Sequence, residues 1–268
     1  MEKGKERYAV LSYIIGKNYE TLHPIKEKSD RATYVMVTDN PDLVDESGTW
    51  RVIYDSTLSG STFDRCYQIR FNPFKYVDEK ILLRIDGSVG IEKNLDPLID
   101  KFIEGNYEIS LMLHPTRTNL YNEYVAWITQ RGYPAQQARN ICAFLLQLEG
   151  YDAKKDHGLL QMCYSIQIND KYNTDFNLLN YALLKYLGDP VSGIERVDQT
   201  ISSFILAKYF NNTFDKIMWT DTTLMQSQFF TWYIHGTNTP FEKLDPSVIV
   251  PPTFGGRPIE NVLKPDEL

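Results

Sequence analysis

Four short runs of apolar and β-branched residues, each ending on or beside a polar residue or a glycine, constrain this chain's fold more than any other feature. They are Tyr8 to Ile15, Ala32 to Asp39, Trp50 to Asp55 and Lys80 to Gly87. Each is bounded by Gly, Asn, Pro or Asp, which is the pattern of buried strands separated by turns and crossovers. Between the third and fourth lies STFDRCYQIRFNPFKYV, which opens on a Ser or Thr suited to an N-cap and sets Cys66, Ile69 and Phe74 among Arg65, Arg70 and Lys75. That reads as a crossover helix with a basic side. Strands alternating with such segments predict an α/β fold with a mostly parallel, doubly wound sheet.

Further along, NLDPLIDKFIEG predicts a helix capped by Asn94, and YEISLMLHP a strand over 107–115. Helical patterns run through NEYVAWITQRG and PAQQARNICAFLLQLEG, followed by the strand GLLQMCYSIQIND and the helices FNLLNYALLKYLG and RVDQTISSFILAKYF. These last form a C-terminal helical elaboration. No Pro/Gly/Ser linker divides the chain, so 1–268 reads as one domain, with a first half to 105, a second from 106 to 240 and a Pro- and Gly-rich tail over 241–268.

Twenty-eight Lys and Arg against 35 Asp and Glu leave a net charge of -7, which argues against nucleic acid as a partner. Cys66, Cys142 and Cys163 show no C-x-x-C spacing and are odd in number, as expected of reduced thiols rather than a disulfide framework. The apolar run near the N-terminus carries tyrosines and a serine and is followed by no small-residue cleavage site, so a first core strand is expected there. No window reaches the ~18 apolar residues of a membrane span. The expectation is a soluble, cytoplasmic protein without a transmembrane segment.

In a doubly wound sheet ligands bind outside the carboxyl ends of the strands, so the polar residues there are informative. The fourth run, KILLRIDGSVGIE, ends on Asp86, Gly87 and Ser88. A carboxylate at the exit of a buried strand is costly unless hydrogen-bonded, open to a cleft or coordinating a cation. Gly87 would let the backbone pass close to a ligand, and Ser88 stands where the second acid of a D-x-D pair would be. Asp-Gly is also a common turn dipeptide, and a bare turn is the alternative. Arg65, Arg70 and Lys75 recur at spacings of five and cannot share one helix face; one or two could reach a phosphate or clamp Asp86, or all could be solvated. His114 ends a strand close in sequence to Arg117 and Glu123, and His235 precedes a glycine. Asp198 and Gln199 open an amphipathic helix, where capping alone explains an Asp.

Taken in order, VTDN, WRVIYD, RCYQIRFNPFKY, LLRIDGSVGIEKNLDPLI, LHPTR with YNE, and RVDQT resemble a bacterial and plant glycosyltransferase-like family long catalogued as a domain of unknown function. The resemblance covers roughly residues 8 to 235. It implies the Rossmann-like GT-A fold, with nucleotide-sugar binding in the half to 105 and the acceptor in the half from 106. It implies transfer of a sugar from a nucleoside-diphosphate sugar, a UDP-sugar foremost, to a glycan acceptor in polysaccharide biosynthesis, at the periphery of a membrane-bound glycan assembly system. By that likeness Asp39 meets base or ribose, Arg70 and Lys75 face the diphosphate, and Asp86, Gly87 and Ser88 replace the D-x-D motif. HGTNTPFEK is similar to the His-Gly element of galactinol and glycogenin-like transferases, which makes His235 a third ligand, with Asp86 and Ser88, for Mn²⁺ or Mg²⁺. Asp198 or Glu123 is the expected general base, and His114, Arg117 and Gln199 line the acceptor side. Ser88 departs from the family's Asn or acid, and Asn72 stands where relatives have Lys. The rival expectations are a degenerate nucleotide-sugar or glycan-binding protein, and a metal-dependent phosphohydrolase or nucleotidyltransferase using Asp86 and Asp39.

Overall fold

A computed structural model describes residues 6–17, 22–131, 135–187, 198–225, 229–233, 239, 240, 242, 253, 254, 257–264, 267 and 268. The first four expected strands are present as β1 (Tyr8–Ile14), β2 (Ala32–Thr38), β3 (Arg51–Tyr54) and β4 (Ile81–Ile85). Every residue of β1 and β4 is buried, as it must be in a strand covered on both faces, whereas β3 has exposed ends and lies at the sheet's edge. Between them α1 (Thr62–Arg70) begins at a reciprocal cap: Asp64 N–H donates to Ser61 Oγ at 3.2 Å and Ser61 N–H to Asp64 Oδ2 at 3.1 Å. The helix ends at Phe71, two residues before Pro73, which opens a single 3₁₀ turn over Pro73–Lys75. That stop leaves Arg70 in the last turn.

The chain continues through β5 (Val89–Ile91), α2 (Asp96–Glu104), β6 (Ile109–Leu113), α3 (Leu120–Arg131), α4 (Ala135–Glu149), β7 (Leu160–Ile168), α5 (Lys171–Leu187) and α6 (Asp198–Tyr209). Then come β8 (Ile217–Thr220), α7 (Thr222–Met225), β9 (Phe230–Trp232), β10 (Thr253–Phe254), β11 (Arg257–Pro258) and β12 (Val262–Leu263). The N-cap of α2 is Leu95 rather than Asn94, whose side chain instead accepts from Asp96 N–H at 2.8 Å, one step ahead of the helix.

Eight strands form one sheet in the order β12-β8-β6-β7-β4-β1-β2-β3. Its neighbours are parallel except that β7 runs antiparallel to both β6 and β4. The architecture is mixed α/β, a large, mostly parallel central sheet flanked by helices, as expected. Strands from both sequence halves enter it, and Val262–Leu263 of the tail pairs with β8. Buried side chains fall into three clusters. One joins β6 and β7 to α3–α6, one joins β1 and β4 to α2 and β9, and one lies between β1, β2 and α1. Cys163 is buried and Cys66 and Cys142 half-buried; all three are free thiols. No described helix is long and apolar enough to cross a membrane.

Candidate functional site

From β1 the chain lays β2 and β3 to one side, then returns to place β4 on the other. The carboxyl ends of β1 and β4 therefore part at a topological switch point, the crevice where open α/β sheets take ligands. Asp86, one residue beyond β4, and Tyr13, near the end of β1, meet across it: Tyr13 Oη donates to Asp86 Oδ1 at 2.9 Å. Burial pushes the Tyr13 phenol up, with Arg70 opposing, so it stays a donor. Asp86 is not sealed under packing, its side chain being 21% exposed.

Arg70 occupies the centre. Its Nε and Nη2 donate to Tyr13 Oη at 2.9 and 2.6 Å, Nη2 also reaches Asp86 Oδ1 at 2.8 Å, and Nη1 is paired with Asp198. Burial alone would lower its pKa, but Tyr13 and Asp86 carry it above the ordinary arginine value. Arg84 sits two residues before Asp86, on the same face of the strand by the period of two, and is 1% exposed. Its Nη1 lies 3.3 Å from Asp86 Oδ1, Nε donates to Ser165 Oγ at 3.2 Å and Nη2 to the Met162 carbonyl at 3.0 Å. Burial, then the neighbouring Arg70, lowers its pKa.

Arg70 and Lys75, expected to face a diphosphate together, take different partners. Arg70 is consumed in clamping Asp86 to Asp198. Lys75 donates to Asp55 Oδ2 at 2.6 Å and Thr57 Oγ1 at 3.1 Å, beyond the end of β3. That is three strand spacings from β4, roughly 14 Å at ~4.8 Å each. Gly87 also has a reason other than a ligand: a Cβ there would stand 2.6 Å from the Tyr13 carbonyl oxygen, so the close approach is to β1. Ser88 gives its carbonyl to Tyr233 N–H at 2.8 Å, while its hydroxyl is sealed at 1% exposure.

On the opposite flank Asp39 follows β2 directly. Its Oδ1 accepts from Gly16 N–H at 2.7 Å and Oδ2 is paired with Arg65. Gly16 has φ +84°, the left-handed region in which glycine avoids strain, so the end of β1 turns back toward Asp39. Toward β6, residues of the second half form a group of their own. His114 Nδ1 accepts the N–H groups of Thr116 and Arg117, both at 3.2 Å, and Arg117 Nη2 lies 2.6 Å from Nε2. Burial, then Arg117, lowers the imidazole to about 3, so it is neutral. Arg117 Nε pairs with Glu123 Oε2 at 2.8 Å, and Gln199 Nε2 donates to Glu123 Oε1 at 3.0 Å. Because Asp198 and Gln199 are consecutive, the first turn of α6 joins the Asp86 clamp to this group.

Mn²⁺ or Mg²⁺ was expected on Asp86, Ser88 and His235, and His235 lies outside the described residues. Two guanidinium groups already press the same oxygen of Asp86, at 2.8 and 3.3 Å, and Ser88 offers a sealed neutral hydroxyl. These donors do not fit a divalent cation, which would meet two positive charges at its own ligand. No cluster of three or more His, Cys, Asp or Glu that could hold a metal occurs among the described residues.

Sequence reasoning missed Tyr13, Arg84 and the Arg65–Asp39 pair. Arg84 carried a readable signal, a lone charge in an apolar strand at i−2 from Asp86.

No family model matches the chain, and no curated protein sequence matches it. Among solved structures it is similar to mouse xyloside xylosyltransferase 1 in its apo form, at 10% identity and a TM-score of 0.43, over 81% of this chain and 86% of that one. At that level the similarity carries nothing about activity or substrate.

Proposed function

We propose that this protein is a glycosyltransferase that moves a sugar from a nucleoside-diphosphate sugar, a UDP-sugar foremost, to a hydroxyl of a glycan acceptor. One observation carries the reading. Residues from β1, α1, β4 and α6 converge at the switch point of the sheet and connect without a break to the His114, Arg117 and Glu123 group on the acceptor flank. Asp39 meets the ribose or base, held in place by its ion pair with the half-buried Arg65. Asp86, held in one orientation by Arg70 and Arg84, accepts hydrogen bonds from donor-sugar hydroxyls. Of the two carboxylates expected to take the acceptor proton, Asp198 has a side chain 15% exposed and Glu123 is 3% exposed. The base is therefore Asp198, and Glu123 positions Arg117.

A second reading, a nucleotide-sugar-binding protein without transfer, is favoured by the same clamp, since Asp86 Oδ1 is engaged by Tyr13, Arg70 and Arg84 together. Isothermal titration with UDP-, GDP- and CDP-sugars, in Mn²⁺ or in EDTA, tests the donor assignment. One donor should bind saturably, with affinity changed less than about threefold by EDTA because the arginine-bound donors do not fit a cation. Failure of every donor to bind defeats the assignment. Release of nucleoside diphosphate that rises on adding glycan acceptors separates transfer from binding alone.

A further inference from the structure

A cleft of about 690 Å³ opens between the C-terminal end of α1, the 3₁₀ turn over Pro73–Lys75, the β7–α5 junction and α5. None of Asp39, Asp86, His114 or Asp198 lines it. The volume lies within the range of small-molecule sites, and the lining has a distinct chemistry. Asn72 and Asn169 are exposed at its edge, and their side-chain amides, each with two donors and an acceptor, make no hydrogen bond among the described residues. Two deeper amides are fixed by their own partners. Gln68 Nε2 donates to the Ser59 carbonyl at 2.6 Å, and Asn177 and Gln167 exchange hydrogen bonds at 3.0 and 3.3 Å. Half-buried Phe74 and Tyr181 supply aromatic surface between them.

The charge balance narrows the ligand. Lys75 is the cation of this lining, and its ammonium is 2.6 Å from Asp55 Oδ2, so little positive charge is left for a phosphate or carboxylate. Open amides beside aromatic faces suit a neutral molecule rich in hydroxyls. Planar amides pair with adjacent hydroxyls, and the apolar C–H face of a pyranose ring lies against an aromatic side chain. We propose that this cleft is a carbohydrate-binding site, separate from the switch-point crevice, that holds a stretch of neutral glycan. The inference stands on the cleft alone and does not need the transferase reading.

The test is saturation-transfer NMR and calorimetry on the full chain, without nucleotide sugar, using xylohexaose, cellohexaose and mannohexaose, with hexagalacturonate as the charged counterpart. At least one neutral hexasaccharide should bind and hexagalacturonate should bind at least tenfold more weakly. The double substitution Asn72→Ala with Asn169→Ala, at two exposed positions, should weaken the neutral ligand tenfold or more while leaving the thermal midpoint and any nucleotide-sugar affinity unchanged. Phe74→Leu, which keeps an apolar side chain but removes the ring, should weaken it as well. Absence of binding by every neutral hexasaccharide overturns the proposal. So does binding that survives the double substitution, or binding that hexagalacturonate matches. Nucleotide-sugar binding is read in a separate titration, so failure of the crevice reading and failure of this one are told apart.

Discussion

Three strands of this sheet lead into an aspartate that meets a basic side chain from the α1 segment, and of these the β3 and β4 exits differ most in kind. At the β3 exit Asp55 meets Lys75, Thr57 and Tyr76 beside an edge strand, with the lysine 44% exposed. At the β4 exit Asp86 meets Arg70 and Arg84, both buried, and Arg70 carries a second carboxylate, Asp198. The first joins an open lysine to an aspartate only 8% exposed that has further hydrogen-bonded support. The second takes two cations out of water, a cost of several kcal/mol per ion unless every partner is present. Position explains the contrast: β3 has one neighbour, whereas β4 lies between β1 and β7 at the switch point. A chain that keeps such a network at the mouth of a crevice is spending stability on the orientation of one carboxylate.

The strongest way to break this comparison is Arg70→Met. It should cost about 3–5 kcal/mol, because Asp86 and Asp198 would each lose a buried counter-ion, as read from urea midpoints. Arg70→Met and Lys75→Met costing the same would mean that the exits do not differ. Next in size, Gly87→Ala should destabilise by about 1–3 kcal/mol, since its methyl would press on the Tyr13 carbonyl. Neutral behaviour there would show that β1 and β4 part more easily than their contact implies.

Acid extends the contrast to the His114 group. Folded His114 takes its proton only near pH 3, held down by burial and then by Arg117, whereas an unfolded histidine takes it near 6.5. Between those values the unfolded chain binds the extra proton, so stability falls as pH drops through that window. His114→Asn should flatten the slope of stability against pH from 6.5 to 4 in denaturation series, and an unchanged slope would remove His114 from the account. The smallest effect belongs to Lys75→Met, about 1 kcal/mol at pH 7, because the lysine is open to solvent and Asp55 keeps Thr57 and Tyr76 as partners.

Much of the scaffold was legible because buried strands leave short apolar runs with polar stops: β1 to β4 fall within one or two residues of the expected bounds. The antiparallel direction of β7 was not, since LQMCYSIQI carries the same apolar pattern either way and only its neighbours fix its sense. Strands β5, β9 and β12, two or three residues each, are too short to show a period. At the site, Asp39, Asp86, His114, Arg117, Glu123, Asp198 and Gln199 were all singled out, and contacts link Asp86 to Asp198 through Arg70 and His114 to Gln199 through Arg117 and Glu123. What the sequence concealed was who pairs with whom. Arg70 and Lys75 looked equivalent because the Phe71–Lys75 turn, which sends them to different strands, leaves only a Pro as its mark. Gly87 looked like room for a ligand because sequence cannot show that the carbonyl of Tyr13 already fills it.

Whether the β4 exit presents Asp86 to a nucleoside-diphosphate sugar can be read from a crystal soaked with a UDP-sugar. Nucleotide density should run along the ends of β1, β2 and β4, with a sugar hydroxyl within hydrogen-bond distance of Asp86 and the ribose or base beside Asp39. Nucleotide bound elsewhere, or bound at this rim with its sugar turned away from Asp86, would contradict that placement.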